Sequence, residues 1–141
     1  FTKKADFIIL ANNVPDGYMG KILNYTKFFR SNSDAKIVMF GANKLPYDPP
    51  TMLLLKSAER INKIMYEMDR KNVINNNNML RKAAKKAGVK FFNLYPHLCI
   101  DSAKQCNVFY KNRLLYEDSN HWSIDGEKYY GRILMEKGIL K

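Results

Sequence analysis

A carboxylate and an imidazole lie three positions apart near the C-terminus, within residues 115–126 (Leu-Tyr-Glu-Asp-Ser-Asn-His-Trp-Ser-Ile-Asp-Gly). In a turn, Asp118 can accept a hydrogen bond from Nδ1 of His121, which fixes the imidazole tautomer and leaves Nε2 free to take a proton from a nucleophile. The short pattern alone favours a simpler interpretation, a helix entry capped by Ser123 or Asp125 with His121 at the surface. The catalytic and the structural interpretation can be distinguished only by the helices and strands that position these residues.

Three short apolar runs predict the strands of a parallel sheet, because strands buried on both faces are continuously apolar. Helical periodicity and capping residues predict the helices. The predicted strands are 5–11, 36–40 and 89–94, and the predicted helices are about 17–30, 51–70, 79–87 and 123–137. The asparagine run 75–78 is interpreted as the entry to the third helix. Residues 108–115 predict a small hairpin that turns through Lys111 and Asn112.

This order of elements indicates an α/β fold with a parallel sheet and covering helices. Ligands bind beyond the carboxyl ends of the strands in such sheets. Asn12 and Asn13 follow the first predicted strand, and the loop that carries Asp118 and His121 can reach the same edge. The expected place for a site and the candidate chemistry coincide, which favours a catalytic interpretation.

The composition fits one folded domain: 141 residues, 46% hydrophobic and 13% aromatic. No apolar run approaches the ~18 residues that would predict a membrane span. The net charge of +11 favours anionic partners, either polyanions or a membrane surface. No nucleic-acid motif accompanies it, so nucleic acid is not the expected partner. The densest basic group lies mostly on one predicted helix and is interpreted as a solvated face: Arg81, Lys82, Lys85, Lys86 and Lys90.

Two cysteines, Cys99 and Cys106, lie close together in a predicted loop. A metal site would need more cysteine or histidine ligands, and the chain has only two histidines. A short-loop disulfide, and with it an oxidising compartment, is favoured over two buried thiols. His97 lacks a carboxylate at useful spacing and is interpreted as structural. Trp122 could stack on a sugar ring, although packing in the core is the more usual role.

As an ordered set, these residues resemble the SGNH, or GDSL-type, hydrolases, and most closely the extracytoplasmic SGNH domains of membrane acyltransferases that O-acetylate surface polysaccharides. The stretch 118–121 resembles the family's Asp-x-x-His block, and residues 121–126 resemble its continuation, His-x-Ser-x-x-Gly, into the last helix. Leu-Ala-Asn-Asn at 10–13 resembles the strand-end block whose Asn donates to the oxyanion hole. Cys99 and Cys106 resemble a pair common in the acyltransferase-linked branch.

The resemblance implies a three-layer, flavodoxin-like α/β/α fold and acyl-ester chemistry through a Ser-His-Asp triad. In it Asp118 and His121 are catalytic, Asn13 donates to the oxyanion hole and Cys99 pairs with Cys106. It implies an O-acetyltransferase or esterase that acts on a cell-surface polysaccharide or glycan without a metal or organic cofactor. The expected setting is an extracytoplasmic, monomeric domain, anchored through a fused membrane acyltransferase domain in the parent protein.

One block of the family is missing from the chain. The family's nucleophile lies in a Gly-Asp-Ser block after the first strand, and none of the six serines follows Gly-Asp. The family's second oxyanion donor, a Gly, has no match either. Residues 1–141 are therefore expected to be a single SGNH-like domain that lacks its N-terminal strand and nucleophile. The alternatives are a degenerate relative, or a non-catalytic α/β module that binds an anionic polysaccharide or nucleic acid through its basic surface.

Overall fold

The computed structural model describes residues 5–11, 19–42, 44–54, 56–68 and 70–139. These residues divide into two units, one drawn from 1–42 and 74–94 and the other from 43–73 and 95–141. The first unit contains the sheet, and the second contains the loop with Asp118 and His121.

The sheet of the first unit has three parallel strands in the order β1-β2-β3, which are Phe7–Ala11, Lys36–Phe40 and Lys90–Phe92. β2 is central: Leu10 of β1 and Phe91 of β3 are the register partners of its Met39. All three strands lie where the apolar runs predict them, and the predicted α/β class with a parallel sheet is confirmed.

Helices α1 (Met19–Asn32) and α4 (Arg70–Ala87) pack against this sheet. The core of the unit combines Ile22 of α1 and Leu80 and Ala84 of α4 with Met39 of the central strand. Leu10 and Phe91 pack against the same cluster, so both helices cover the sheet face to which Met39 points. Hydrophobic burial by these apolar stripes therefore holds the unit together.

Strand β1 differs from its prediction, because none of its residues is fully buried. Ile9 is 43% exposed, whereas Val38, its partner on β2, is 1% exposed. β1 is the edge of the described sheet, so its outer side has no neighbouring strand among the described residues. An apolar run predicts that a strand can be buried. It does not predict whether other described residues pack over both of its sides.

The single helix predicted over 51–70 is wrong, because the structure has two shorter helices there. α2 covers Pro49–Leu53 and α3 covers Ala58–Glu67. Leu54 is the C-cap of the first helix, and Ser57 caps the second, since its side chain accepts a hydrogen bond from the backbone N–H of Arg60. A serine inside an apolar helical pattern can bind backbone N–H groups in this way and start a new helix. The periodicity of the apolar residues does not show this.

The asparagine run is also not a helix entry: α4 continues through it from Arg70 to Ala87. Asn77 is 2% exposed and forms two hydrogen bonds to Ala42, accepting from its backbone N–H at 2.7 Å and donating to its carbonyl oxygen at 3.4 Å. The amide side chain thus satisfies both backbone groups of a buried residue just beyond β2. The neighbouring Asn75 is exposed.

In the second unit, the segment predicted as a cysteine loop is more ordered than expected. It contains the short helix α5 (Tyr95–Leu98) and the antiparallel pair β4 (Cys99–Ile100) and β5 (Gln105–Cys106). Cys99 and Cys106 are register partners in this pair, and the structure joins them in a disulfide bond.

The predicted hairpin is confirmed. β6 (Phe109–Tyr110) pairs with β7 (Arg113–Leu114) in antiparallel register. Lys111 and Asn112 form the two-residue turn with φ values of 49° and 61°. Two left-handed residues in succession are typical of the type I′ turns that match the twist of a hairpin. The last helix, α6, covers Ile124–Glu136.

We predict that Asn77→Ala lowers the free energy of unfolding by about 1–3 kcal/mol, because it leaves two buried backbone groups of Ala42 without partners. Urea denaturation measures this change. Asn75→Ala is the matched control on the exposed side of the same helix, and should leave stability unchanged or slightly raised, since Ala is the better helix former. Equal effects of the two substitutions would contradict the structural role of Asn77.

Candidate active site

The loop with the candidate catalytic residues is closed by backbone hydrogen bonds. The N–H of Glu117 donates to the carbonyl oxygen of His121 at 2.9 Å, and Tyr116 and Trp122 form a β-bridge on either side. The carbonyl oxygen of Ser119, at the tip, accepts from the N–H of Leu45 at 2.8 Å. The loop is therefore held at its base and at its tip.

Asp118 and His121 are brought together inside this loop. Nδ1 of His121 lies 2.7 Å from Oδ2 of Asp118. The other carboxylate oxygen, Oδ1, accepts from the backbone N–H groups of Asn120 at 2.6 Å and His121 at 2.8 Å. Three bonds thus fix the carboxylate, and the carboxylate favours the tautomer with the proton on Nδ1.

The opposite ring nitrogen of His121 is open. Nε2 has no hydrogen-bond partner within the described ranges, and the His121 side chain is 74% exposed. With the proton on Nδ1, Nε2 carries the lone pair that a general base needs. The geometry therefore matches the base and the orienting carboxylate of a triad.

The pairing changes the pKa of both groups. The hydrogen bond from His121, supported by the backbone N–H groups of Asn120 and His121, lowers the pKa of Asp118 to about 2. The same bond to Asp118 raises the pKa of His121 above its usual value. Asp118 is consequently ionised at neutral pH, and the neutral fraction of His121 grows only as pH rises through the raised pKa.

Ser123 connects the loop to the hairpin and to α6. As the predicted N-cap of α6, its Oγ accepts from the N–H of Gly126 at 3.1 Å, and it donates to the carbonyl oxygen of Leu114 at 2.6 Å. Its own N–H donates to the carbonyl oxygen of Leu115. A Cβ at Gly126 would overlap that same carbonyl oxygen, so only glycine fits there. These contacts explain the Ser and Gly of the motif in structural terms.

Trp122 packs inside the unit. Its ring stacks on Tyr130 of α6 with centroids 4.4 Å apart, and Tyr116 contacts the same tyrosine edge-on at 6.4 Å. Tyr116 and Tyr130 are both 1% exposed. Trp122 therefore has the packing role that the sequence favours. The cluster of Tyr116, Trp122 and Tyr130 packs at the base of the loop.

Other predicted residues lie apart from the dyad or outside the description. Asn13 falls outside the described residues, so the oxyanion role stays a prediction. His97 lies half-buried in α5, where burial lowers its pKa. Asp101 accepts hydrogen bonds from Tyr66 at 3.1 Å and Arg70 at 3.0 Å, a cluster that spacing did not reveal.

Two features of the described residues bear on metals and membranes. No group of three or more His, Cys, Asp or Glu side chains among them is arranged to hold a metal ion. No described helix is long and apolar enough to cross a membrane. The predicted basic face of α4 and β3 is exposed, as expected: Arg81, Lys82, Lys85, Lys86 and Lys90.

The fold agrees with the comparison to known families. The model of the SGNH domain fused to AT3 domains matches residues 4–136. The chain therefore belongs to this family, which confirms the resemblance and indicates acyl-ester or acyltransferase chemistry. No curated protein matches the chain, and no solved structure does.

We predict that NMR titration will give His121 a pKa above the ordinary value of 6.5, and that Asp118→Asn will lower it towards that value by removing the charged partner. His97 is the internal control, because its pKa is lowered by burial and should not respond to Asp118→Asn. A His121 pKa that is the same in both proteins would contradict the pairing.

Proposed function

We propose that the chain carries the base and the orienting acid of a serine-dependent O-acyltransferase or esterase. The observation that carries this proposal is the 2.7 Å bond between Asp118 and His121, with Nε2 open, in a member of the SGNH family. A helix entry with a surface histidine does not require the carboxylate to be fixed by three N–H donors. A general base needs its imidazole tautomer and orientation to be fixed, and a carboxylate held in place supplies both.

In the proposed reaction, a serine hydroxyl attacks the acyl carbonyl while His121 Nε2 takes its proton. The side-chain amide of Asn13 donates to the oxyanion that develops on the carbonyl oxygen. Removal of such donors costs roughly 3 kcal/mol in other enzymes. The imidazolium then gives its proton to the leaving oxygen, which leaves an acyl-serine. In the second half, His121 deprotonates the acceptor hydroxyl, which attacks the acyl-serine and releases the serine.

The serine itself is proposed to lie outside residues 1–141. None of the six serines hydrogen-bonds to the His121 ring, and Ser57 and Ser123 are engaged as helix caps. The outer edge of β1 supports the same proposal. Ile9 of β1 is 43% exposed and Phe28 of the neighbouring α1 is 60% exposed, and a further strand and helix would cover them. On this proposal the chain forms one domain with that missing segment.

The proposed acyl acceptor is a hydroxyl of a cell-surface glycan in a transferase, or water in an esterase. The proposed setting is an extracytoplasmic domain fused to a membrane acyltransferase domain, which would supply the acyl group. Two observations support it: the family is described as fused to AT3 domains, and Cys99 and Cys106 form a disulfide bond, which persists in oxidising compartments.

We predict that a fluorophosphonate will label one serine of the parent protein, in a peptide outside residues 1–141. His121→Ala should reduce the labelling rate and ester hydrolysis by about a millionfold, because removal of the triad histidine costs that much in a serine protease. Intact mass and peptide mapping measure the label, and His97→Ala is the control. Labelling that survives His121→Ala would contradict the triad. A label on a serine within the chain would contradict the external nucleophile, and no label would favour the non-catalytic binding module.

We also predict that kcat/KM for a neutral ester rises with pH and levels off above the pKa of His121, because only the neutral imidazole can accept a proton. The midpoint should lie above 6.5, since Asp118 raises that pKa. In Asp118→Asn the midpoint should move to lower pH while the plateau falls. A pH profile unaffected by this substitution would exclude His121 as the base.

A further inference from the structure

An open cleft of about 350 Å³ lies between the hairpin β6–β7 and one face of α6. Neither Asp118 nor His121 lines it. The hairpin contributes Tyr110, Lys111 and Arg113, and the floor includes the buried Leu115. The volume is at the lower end of the range for small-ligand sites, which suits one or two sugar rings.

The wall formed by α6 follows from helical spacing. Asp125, Lys128, Tyr129 and Arg132 lie at positions i, i+3, i+4 and i+7, which share one face of a helix. The side chains of Lys128 and Arg132 are exposed. The face turned towards the hairpin is therefore basic and aromatic rather than apolar.

The cleft has an excess of positive charge. Four of its side chains are basic and one is a carboxylate, Asp125, which Arg113 already pairs at 2.8 Å. The Arg113 guanidinium retains further N–H donors after this bond. Lys128 and Arg132 have no hydrogen-bond or ion-pair partner among the residues that the structure describes. Their charges are available to an anionic ligand, and Asp125 orients Arg113 without cancelling the field.

Two tyrosines give the cleft an aromatic side. The Tyr110 ring is 40% exposed, lies 4.9 Å from the Tyr129 ring, and has the Lys111 Nζ 5.4 Å from its centroid. The turn places Lys111 in the left-handed region with φ of 49°, and this backbone conformation fixes the position of its Cα–Cβ bond on the hairpin. Aromatic faces beside charged donors suit a ligand that is apolar on one side and anionic at its edge.

We propose that this cleft binds an acidic segment of the glycan substrate, with Lys128 and Arg132 as the main contacts to its carboxylates. The inference rests on the proposed function and narrows its substrate class to acidic glycans. A sugar ring presents an apolar face to Tyr110 and carboxylates to the basic side chains. The cleft holds the polymer, while acyl transfer takes place at His121.

A nucleic acid fits the cleft less well than an acidic sugar. The Tyr110 and Tyr129 rings lie against each other at 46°, so they do not form a pair of parallel faces between which a base could insert. The basic side chains occupy one compact cleft rather than an extended track along a phosphate backbone.

The test is a calorimetric titration of the 141-residue chain with a short oligogalacturonate, in which every sugar has a carboxylate. We expect Lys128→Gln combined with Arg132→Gln to weaken binding by about tenfold or more, because two charge-assisted contacts are lost. Lys85→Gln with Lys86→Gln is the matched control: it removes the same charge from exposed positions of α4. Circular dichroism verifies that both double variants are folded.

Tyr110→Ala provides a second test without a change in charge, and should also weaken binding. Three results would overturn the proposal: no binding of oligogalacturonate, equal weakening in the two double variants, or equal binding of a neutral maltooligosaccharide of the same length. Tighter binding of a single-stranded oligonucleotide through Lys128 and Arg132 would overturn it as well.

The titration involves no turnover, so it is independent of catalysis. His121→Ala is expected to bind oligogalacturonate as the unmodified chain does. A chain that binds while the parent protein fails to label with fluorophosphonate would support the cleft and contradict only the acyl-transfer proposal. If the parent protein is labelled but the isolated chain does not bind oligogalacturonate, the acyl-transfer proposal is supported and the cleft proposal is contradicted.

Discussion

The bond between Asp118 and His121 depends on how one short loop satisfies its own backbone. Oδ1 of Asp118 accepts hydrogen bonds from two backbone N–H groups of the loop, and Oδ2 is therefore directed at the imidazole. The loop can present those N–H groups because its base is closed by the Glu117–His121 backbone bond. Ser123 then ties the next residues to Leu114 and to the first turn of α6. The geometry of the two side chains therefore depends on hydrogen bonds made within residues 114–126 and on the aromatic cluster that packs against them.

The parts that could be predicted from the sequence are those whose cause is local. The turn at Lys111 and Asn112, the cap at Ser123 and the pairing within Asp-x-x-His depend on residues a few positions apart. The buried strand β2 could be predicted for a similar reason, since its apolar run is continuous. The turn, the cap and the pairing are selected by neighbours in the chain, whereas the run of β2 predicts only that the strand is buried, and α1 and α4 supply its cover.

The parts that could not be predicted have causes that are distant in the chain. Asn77 looks like a turn residue, but its amide satisfies Ala42, which is 35 positions away. Ser57 lies within a helical pattern and starts a new helix instead. The apolar composition of β1 predicts burial, yet its exposure depends on which elements lie beside it. The oxyanion role proposed for Asn13 depends in the same way on a distance to a substrate carbonyl, which no spacing in the sequence specifies.

The segment from the hairpin to α6 connects the dyad to the basic cleft within one unit. Leu114 and Leu115 supply the carbonyl oxygens that bind Ser123, and Arg113, the residue before them, pairs with Asp125 of α6. The strand-to-helix contact between Arg113 and Asp125 therefore lies in the first turn of the helix after His121 and also lines the cleft. A ligand that draws Arg113 away from Asp125 would loosen that contact from the cleft side, while the two bonds of Ser123 would still hold the loop. On the proposed function, a ligand in the cleft could therefore engage Arg113 without a change in the geometry of Asp118 and His121.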